Sequence, residues 1–189
     1  MSKSYSKTRV LVECALMVAI GTVLANIKIF TMPNGGSVTL LSMLPFVLVS
    51  FRHGVKWGLF TGLVNGCLQM LLGFWAPPTP TFIYFLGEIL LDYLVAFTPL
   101  GLAGLFKGKK WGIFVGTVVG CLGRFVIHFI SGVTVYAQYM PEEFMGMTMT
   151  SPVFYSVLYN GTYMLPNTIL AIIICALLMK PAAKLPSAE

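Results

Sequence analysis

Residues 81–106 read TFIYFLGEILLDYLVAFTPLGLAGLF, an apolar run long enough to cross a bilayer that still carries two acids, Glu88 and Asp92. A charged group inside lipid costs about 3 kcal/mol or more unless it is paired or hydrated, so such residues tend to mark a site. A second patch of this kind, Arg124-Phe125-Val126-Ile127-His128, lies in the next apolar run. The two patches together predict the floor of a ligand pocket set within a membrane protein.

The rest of the chain agrees with that environment. Of its 189 residues 57% are hydrophobic and 10% charged, and the mean hydropathy is +0.87, far from the balance of a water-soluble domain. Six apolar stretches, at 10–27, 39–51, 55–73, 81–106, 111–135 and 152–179, predict an all-α integral membrane protein of about six helices and a single transmembrane domain over residues 1–189. The second stretch reaches only about 20 Å, which suggests a tilted or buried helix rather than a full span. Turn-forming clusters separate the stretches: Met32-Pro33-Asn34-Gly35-Gly36-Ser37, Pro77-Pro78-Thr79-Pro80, Lys107-Gly108-Lys109-Lys110 and Met140-Pro141-Glu142-Glu143.

Basic residues are retained on the cytoplasmic side during insertion. An inside N-terminus puts Lys3, Lys7, Arg9, Arg52, Lys56, Lys107, Lys109, Lys110, Lys180 and Lys184 on that face and leaves Lys28 outside, with Glu142 and Glu143 in an external loop. Both termini are therefore expected inside, and the net charge of +6 needs no nucleic acid partner. The basic N-terminus followed by an apolar run reads as a first span, given the five further stretches. Cys14, Cys67, Cys121 and Cys175 stand singly in apolar segments and show no metal or redox spacing, so they read as packing residues.

Depth counting sets two rungs between the fourth and fifth spans. Asp92 and Arg124 each lie about ten residues, roughly 15 Å, below the outer surface, and Glu88 and His128 each lie one turn above them. Spacing of four residues keeps both members of each pair on one helix face. A purely structural ion-pair ladder is the alternative to a pocket. Near the carboxylates and the outer ends of spans stand Tyr93, Tyr136, Tyr139, Tyr155, Tyr159 and Asn160. Acid and aromatic faces together suit a flat organic cation, although single tyrosines also occur in any interfacial belt. Asn160 can donate and accept at a heteroaromatic edge.

In the first span, Ala15 and Ala19 stand four apart, and Gly21 and Ala25 repeat the spacing. Such small-residue stripes allow close helix approach, either to a partner or within the bundle. No Walker-type loop, His-Glu-x-x-His or Gly-x-Ser-x-Gly motif occurs, so the chain carries no ATPase machinery of its own and no evident catalytic apparatus.

Several segments resemble one family over nearly the whole chain: Met32-Pro33-Asn34-Gly35-Gly36-Ser37-Val38, Ser50-Phe51-Arg52-His53-Gly54, Leu91-Asp92-Tyr93-Leu94-Val95-Ala96, His128-Phe129-Ile130-Ser131-Gly132 and Tyr155-Ser156-Val157-Leu158-Tyr159-Asn160. The chain is similar to the thiamine-specific substrate-binding (S) components of energy-coupling factor transporters, the YuaJ type. The resemblance implies a multi-pass protein of the bacterial plasma membrane that binds thiamine from outside, requires no cofactor or metal, and works with a transmembrane T subunit and two cytoplasmic ATPases. It implies pocket roles for Asp92, Tyr93, His128, Tyr136, Tyr155 and Asn160, and assigns Ala15 and Ala19 to the T-subunit contact. Glu88 and Arg124 are expected to support the pocket from behind, and Gly35, Gly36 and Ser37 to form a lid, since glycine adopts positive φ without strain. A standalone cation permease and an intramembrane enzyme are the alternative functions.

Overall fold

The computed structural model describes residues 7–77 and 81–182. Lys3, Lys184, the side chain of Lys180 and most of the Pro77–Pro80 turn lie outside the described residues. Among the described residues, four segments are long and apolar enough to cross a membrane: Lys7–Asn26, Phe82–Phe106, Gly112–Thr134 and Pro152–Leu178. The chain runs α1 (Lys7–Asn26), a hairpin of β1 (Lys28–Thr31) and β2 (Ser37–Thr39), α2 (Leu44–His53), α3 (Val55–Gly73), α4 (Phe82–Glu88) with its irregular continuation, α5 (Gly112–Thr134), a small hairpin of β3 (Glu143–Phe144) and β4 (Met147–Thr148), and α6 (Pro152–Ala182).

The short second stretch is a ten-residue helix, α2, whose Leu44, Phe46, Val47 and Val49 are buried inside the bundle. Residues 39–43 do not join it. They finish the β1–β2 hairpin and its turn, so the external loop is a folded strand pair with a bulge between Lys28 and Phe30.

The fourth span departs from a regular α-helix. It is α-helical only over Phe82–Glu88, widens to π geometry over Ile89–Leu94, where the Val95 amide reaches back to the Leu90 carbonyl at 2.8 Å, and tightens to 3₁₀ geometry over Thr98–Phe106. Across the interface stands α3. Gly58, Gly62 and Gly66 recur every fourth residue and bring α3 into backbone contact with the fourth span: a Cβ on Gly62 would strike the Phe97 carbonyl, and one on Gly66 the Tyr93 carbonyl. Gly101 meets the Leu59 backbone from the other side. Two segments packed backbone to backbone leave the fourth span free to change pitch without losing contact.

At one end of the bundle, Arg52 and His53 at the end of α2 hold Glu13 of α1 at 2.8 and 2.7 Å, and Lys107 donates to the Arg52 carbonyl at 2.8 Å. Basic residues thus gather at that end, which the retention of positive charge places in the cytoplasm. Both hairpins stand at the opposite end. The four cysteines are free thiols; Cys14, Cys121 and Cys175 are fully packed.

Candidate functional site

A cavity of about 230 Å³ opens beneath the β1–β2 hairpin, walled by α3, the fourth span, α5 and α6. Asp92, Tyr93, His128, Tyr136, Tyr155 and Asn160 all line it, as do Glu88, Arg124, Gly35, Gly36 and Ser37. The structure therefore gathers the expected pocket and lid residues around one space.

The pairing of charges differs from the two expected rungs. Asp92 does not meet Arg124. Its Oδ1 lies 2.7 Å from His128 Nδ1, and its Oδ2 receives the Ser131 hydroxyl. Arg124 Nε donates to His128 Nε2 at 3.2 Å, and the guanidinium lies 4.0 Å over the Phe97 ring. Glu88 pairs with the Tyr136 hydroxyl rather than with His128. Asp92 meets the residue one helical turn further along α5 than expected, and Glu88 meets Tyr136, eight residues beyond His128. The π segment, which holds Asp92, departs from the uniform rise that equal depths assume.

Arginine only donates. Its bond to Nε2 therefore makes that nitrogen the acceptor, so His128 carries its proton on Nδ1 and donates to Asp92. The result is a closed chain from Arg124 through His128 to Asp92, with Ser131 on the second oxygen.

The aromatic wall is braced as well. The Tyr93 hydroxyl accepts from the Trp75 amide at 2.6 Å and donates to the Gly73 carbonyl at 3.2 Å, while its ring stacks on Phe74. Tyr155, Tyr159 and Tyr163 follow one another at four-residue intervals on α6 and contact ring to ring, with Phe144 of the second hairpin packed on the first two. Asn160 donates to the Ser156 and His128 carbonyls at 2.9 and 3.3 Å and accepts from Tyr163 at 2.7 Å. Burial, then the neighbouring Glu88 charge, raises the pKa of the Tyr136 phenol above its ordinary value, which keeps it a donor.

The hairpin roof is tied to α6. The Asn34 amide donates to Tyr159 at 2.9 Å, and Asn167 accepts from the Thr39 amide at 3.0 Å while donating to the Ser37 carbonyl at 2.9 Å. Gly35 has φ +102°, a conformation glycine alone takes freely, and faces the Trp75 ring. Gly36 has ordinary backbone geometry but leaves no room for a Cβ beside Tyr163. Sequence reading passed over Tyr163, Trp75, Ser131 and Asn167 as individual site residues. A count of four along α6 from Tyr155 finds Tyr163, and one further step finds Asn167; for Trp75 the sequence holds no signal.

Ala15 and Ala19 are exposed on α1 beside Leu11, Leu16 and Val23. Gly21 and Ala25 do not share that face: Gly21 packs on the Phe46 ring, and Ala25 lines the cavity.

These features define a multi-pass helical membrane protein with a polar, aromatic-lined cavity. The sequence matches the family described as "Thiamine transporter protein (Thia_YuaJ)" over residues 11–187, and the chain belongs to that family. It is 36% identical to the thiamine transporter ThiT of Bacillus subtilis, over 93% of this chain and 92% of that protein. To the thiamine transporter ThiT of Lacticaseibacillus paracasei it is 28% identical, over 93% and 89% of the two chains. Its fold is that of a solved structure of ThiT from Listeria monocytogenes, with a TM-score of 0.78 and 22% identity over 94% of this chain and 97% of that one.

Proposed function

We propose that the outer cavity binds thiamine and that the chain is the substrate-binding subunit of an energy-coupling factor importer. The observation that carries this reading is the cavity's combination of two carboxylates with tyrosine faces under a polar roof. Thiamine joins a permanently positive thiazolium to a neutral aminopyrimidine; acids and ring faces suit the first, and the amide of Asn160 with His128 suits the heteroatoms of the second. Asp92, Tyr93, His128, Tyr136, Tyr155 and Asn160 form the binding surface, with Gly35, Gly36 and Ser37 in a roof that serves as lid. The exposed Ala15 and Ala19 face of α1 is the contact for a transmembrane T subunit, which links the chain to two cytoplasmic ATPases. Membership of a thiamine transporter family supports the ligand.

Isothermal titration of the purified protein with thiamine tests the ligand: saturable binding is expected, and its absence overturns the assignment. Uptake into cells with and without the T subunit and ATPases tests the assembly. Accumulation by the chain alone would make it a standalone permease instead.

A further inference from the structure

A second cavity, of about 350 Å³, lies at the cytoplasmic end of the bundle, in a groove between α1 and α2. Its size falls in the range of small-molecule sites, about 300–1,000 Å³. Its walls are apolar, Met17 from α1 with Leu48, Val49 and Phe51 from α2. Its rim is charged: Glu13 takes Arg52 at 2.8 Å, His53 at 2.7 Å and Arg9 at 3.3 Å, and Lys107 stands beside them on the Arg52 carbonyl. The Arg9 and Arg52 side chains are 61% and 51% exposed, so both reach outward from the groove. Among the described residues Glu13 is the one acid at this end, against Lys7, Arg9, Arg52, Lys56 and the three lysines of the Lys107–Lys110 loop. A positive excess therefore surrounds the mouth of an apolar groove. Retention of positive charge accounts for the cations but not for the groove beneath them. From Arg9 to Met17, α1 rises about 12 Å, close to half of a hydrocarbon core about 30 Å thick, so the groove follows a single leaflet from headgroup level toward the bilayer centre.

We propose that this groove is a binding site for one anionic phospholipid of the inner leaflet, its acyl chain against Met17, Leu48 and Phe51 and its phosphate at Arg9 and Arg52. The guanidinium fork matches phosphate oxygens, and the cytoplasmic leaflet is the one that carries negative surface charge. An apolar peptide would cover the walls and leave the cationic rim unanswered; a free phosphate would answer the rim and leave the walls wet. A phospholipid meets both demands with one molecule. The site is separate from the Ala15 and Ala19 face, because Ala15 stands two residues, about 200°, around α1 from Glu13. Lipid in the groove and a protein partner on the alanine face do not compete.

The test is native mass spectrometry of the full chain in mild detergent, titrated with phosphatidylglycerol and with phosphatidylcholine of the same acyl chains. The wild type should hold one phosphatidylglycerol at concentrations at least tenfold lower than phosphatidylcholine requires. Arg9→Gln with Arg52→Gln should bring that preference below about twofold. Leu48→Trp, which fills the groove and keeps every charge, should lose the tight adduct of either lipid. Both proteins should still bind thiamine at the far end of the bundle, and each variant decides the matter if the other fails to fold. Glycerol phosphate, a headgroup without a chain, should not displace the bound lipid. Equal retention of the two lipids by the wild type overturns the inference, as does a preference that survives Leu48→Trp. Displacement by glycerol phosphate would make the rim a simple phosphate site, and a lipid-free dimer would give the groove to a second copy of the chain; either result also overturns it.

Discussion

Arg124 and His128, one turn apart on α5, are joined by a bond from Nε to Nε2 at 3.2 Å, and that single contact decides which nitrogen of the imidazole carries the proton. With Nε2 accepting, Nδ1–H points at Asp92, and an arginine placed inside a membrane span serves to orient a histidine rather than to neutralise an acid directly. Its charge rests on the Phe97 face, where a desolvated cation gains about 2 kcal/mol.

Arg124→Gln should therefore release the imidazole. Nitrogen NMR of labelled protein is expected to show the Nδ1-protonated tautomer in the wild type and a mixture in the variant. Thiamine affinity should fall by roughly tenfold, or about 1.4 kcal/mol. An unchanged tautomer would mean that Asp92 alone orients the ring.

Asp92→Asn attacks the same chain from its acidic end. The amide cannot accept at both of its polar atoms, so either His128 or Ser131 loses its partner. Binding is expected to weaken by tenfold or more, since breaking a buried charged hydrogen bond costs about 2 kcal/mol or more. Wild-type affinity by titration calorimetry would show that the pocket keeps its shape without this carboxylate.

Small residues on α1 should divide into two kinds. Ala15→Trp with Ala19→Trp adds bulk to an exposed face and should abolish cellular uptake while leaving thiamine binding to the isolated chain intact. Gly21→Leu, directed into the Phe46 ring, should instead lower the melting temperature. Uptake that survives the double tryptophan change would place the partner contact elsewhere.

Much of this molecule is legible from run length and residue chemistry. Long apolar runs and their breaks locate the spans, the brevity of 39–51 foretells the buried α2, and acids, tyrosines and Asn160 in oily surroundings point to the cavity they line. Facing and register are less legible, because depth counting assumes 1.5 Å per residue throughout, and the π and 3₁₀ segments of the fourth span break that assumption. The hairpin at Lys28–Thr39 was hidden for a different reason: its strands are short and sit beside a span, so the apolar pattern merges with that of α2. The glycines of α3 do repeat visibly every fourth residue, but only the partner backbone explains them.

Gly62→Ala tests that interface. A single methyl group would collide with the Phe97 carbonyl, which as main chain has little freedom to withdraw. Stability should fall by about 2 kcal/mol, the usual scale for forcing extra volume into a packed interior. Thermal unfolding in detergent measures it; an unaltered transition would show that α3 and the fourth span separate without cost.

Asn167 ties roof to bundle twice, with one side chain bonded to both Thr39 and Ser37 of β2. Neither contact involves an acid, so their loss alters how firmly the hairpin is held more than what the cavity offers a cation. Asn167→Ala should leave the association rate nearly unchanged and raise the dissociation rate several-fold, because affinity differences among variants of one site fall mostly on release. Trp75 stands against Gly35 of the roof, and its fluorescence in stopped-flow mixing with thiamine gives the readout. Equal dissociation rates in the two proteins would mean that Tyr159 and Asn34 hold the roof unaided.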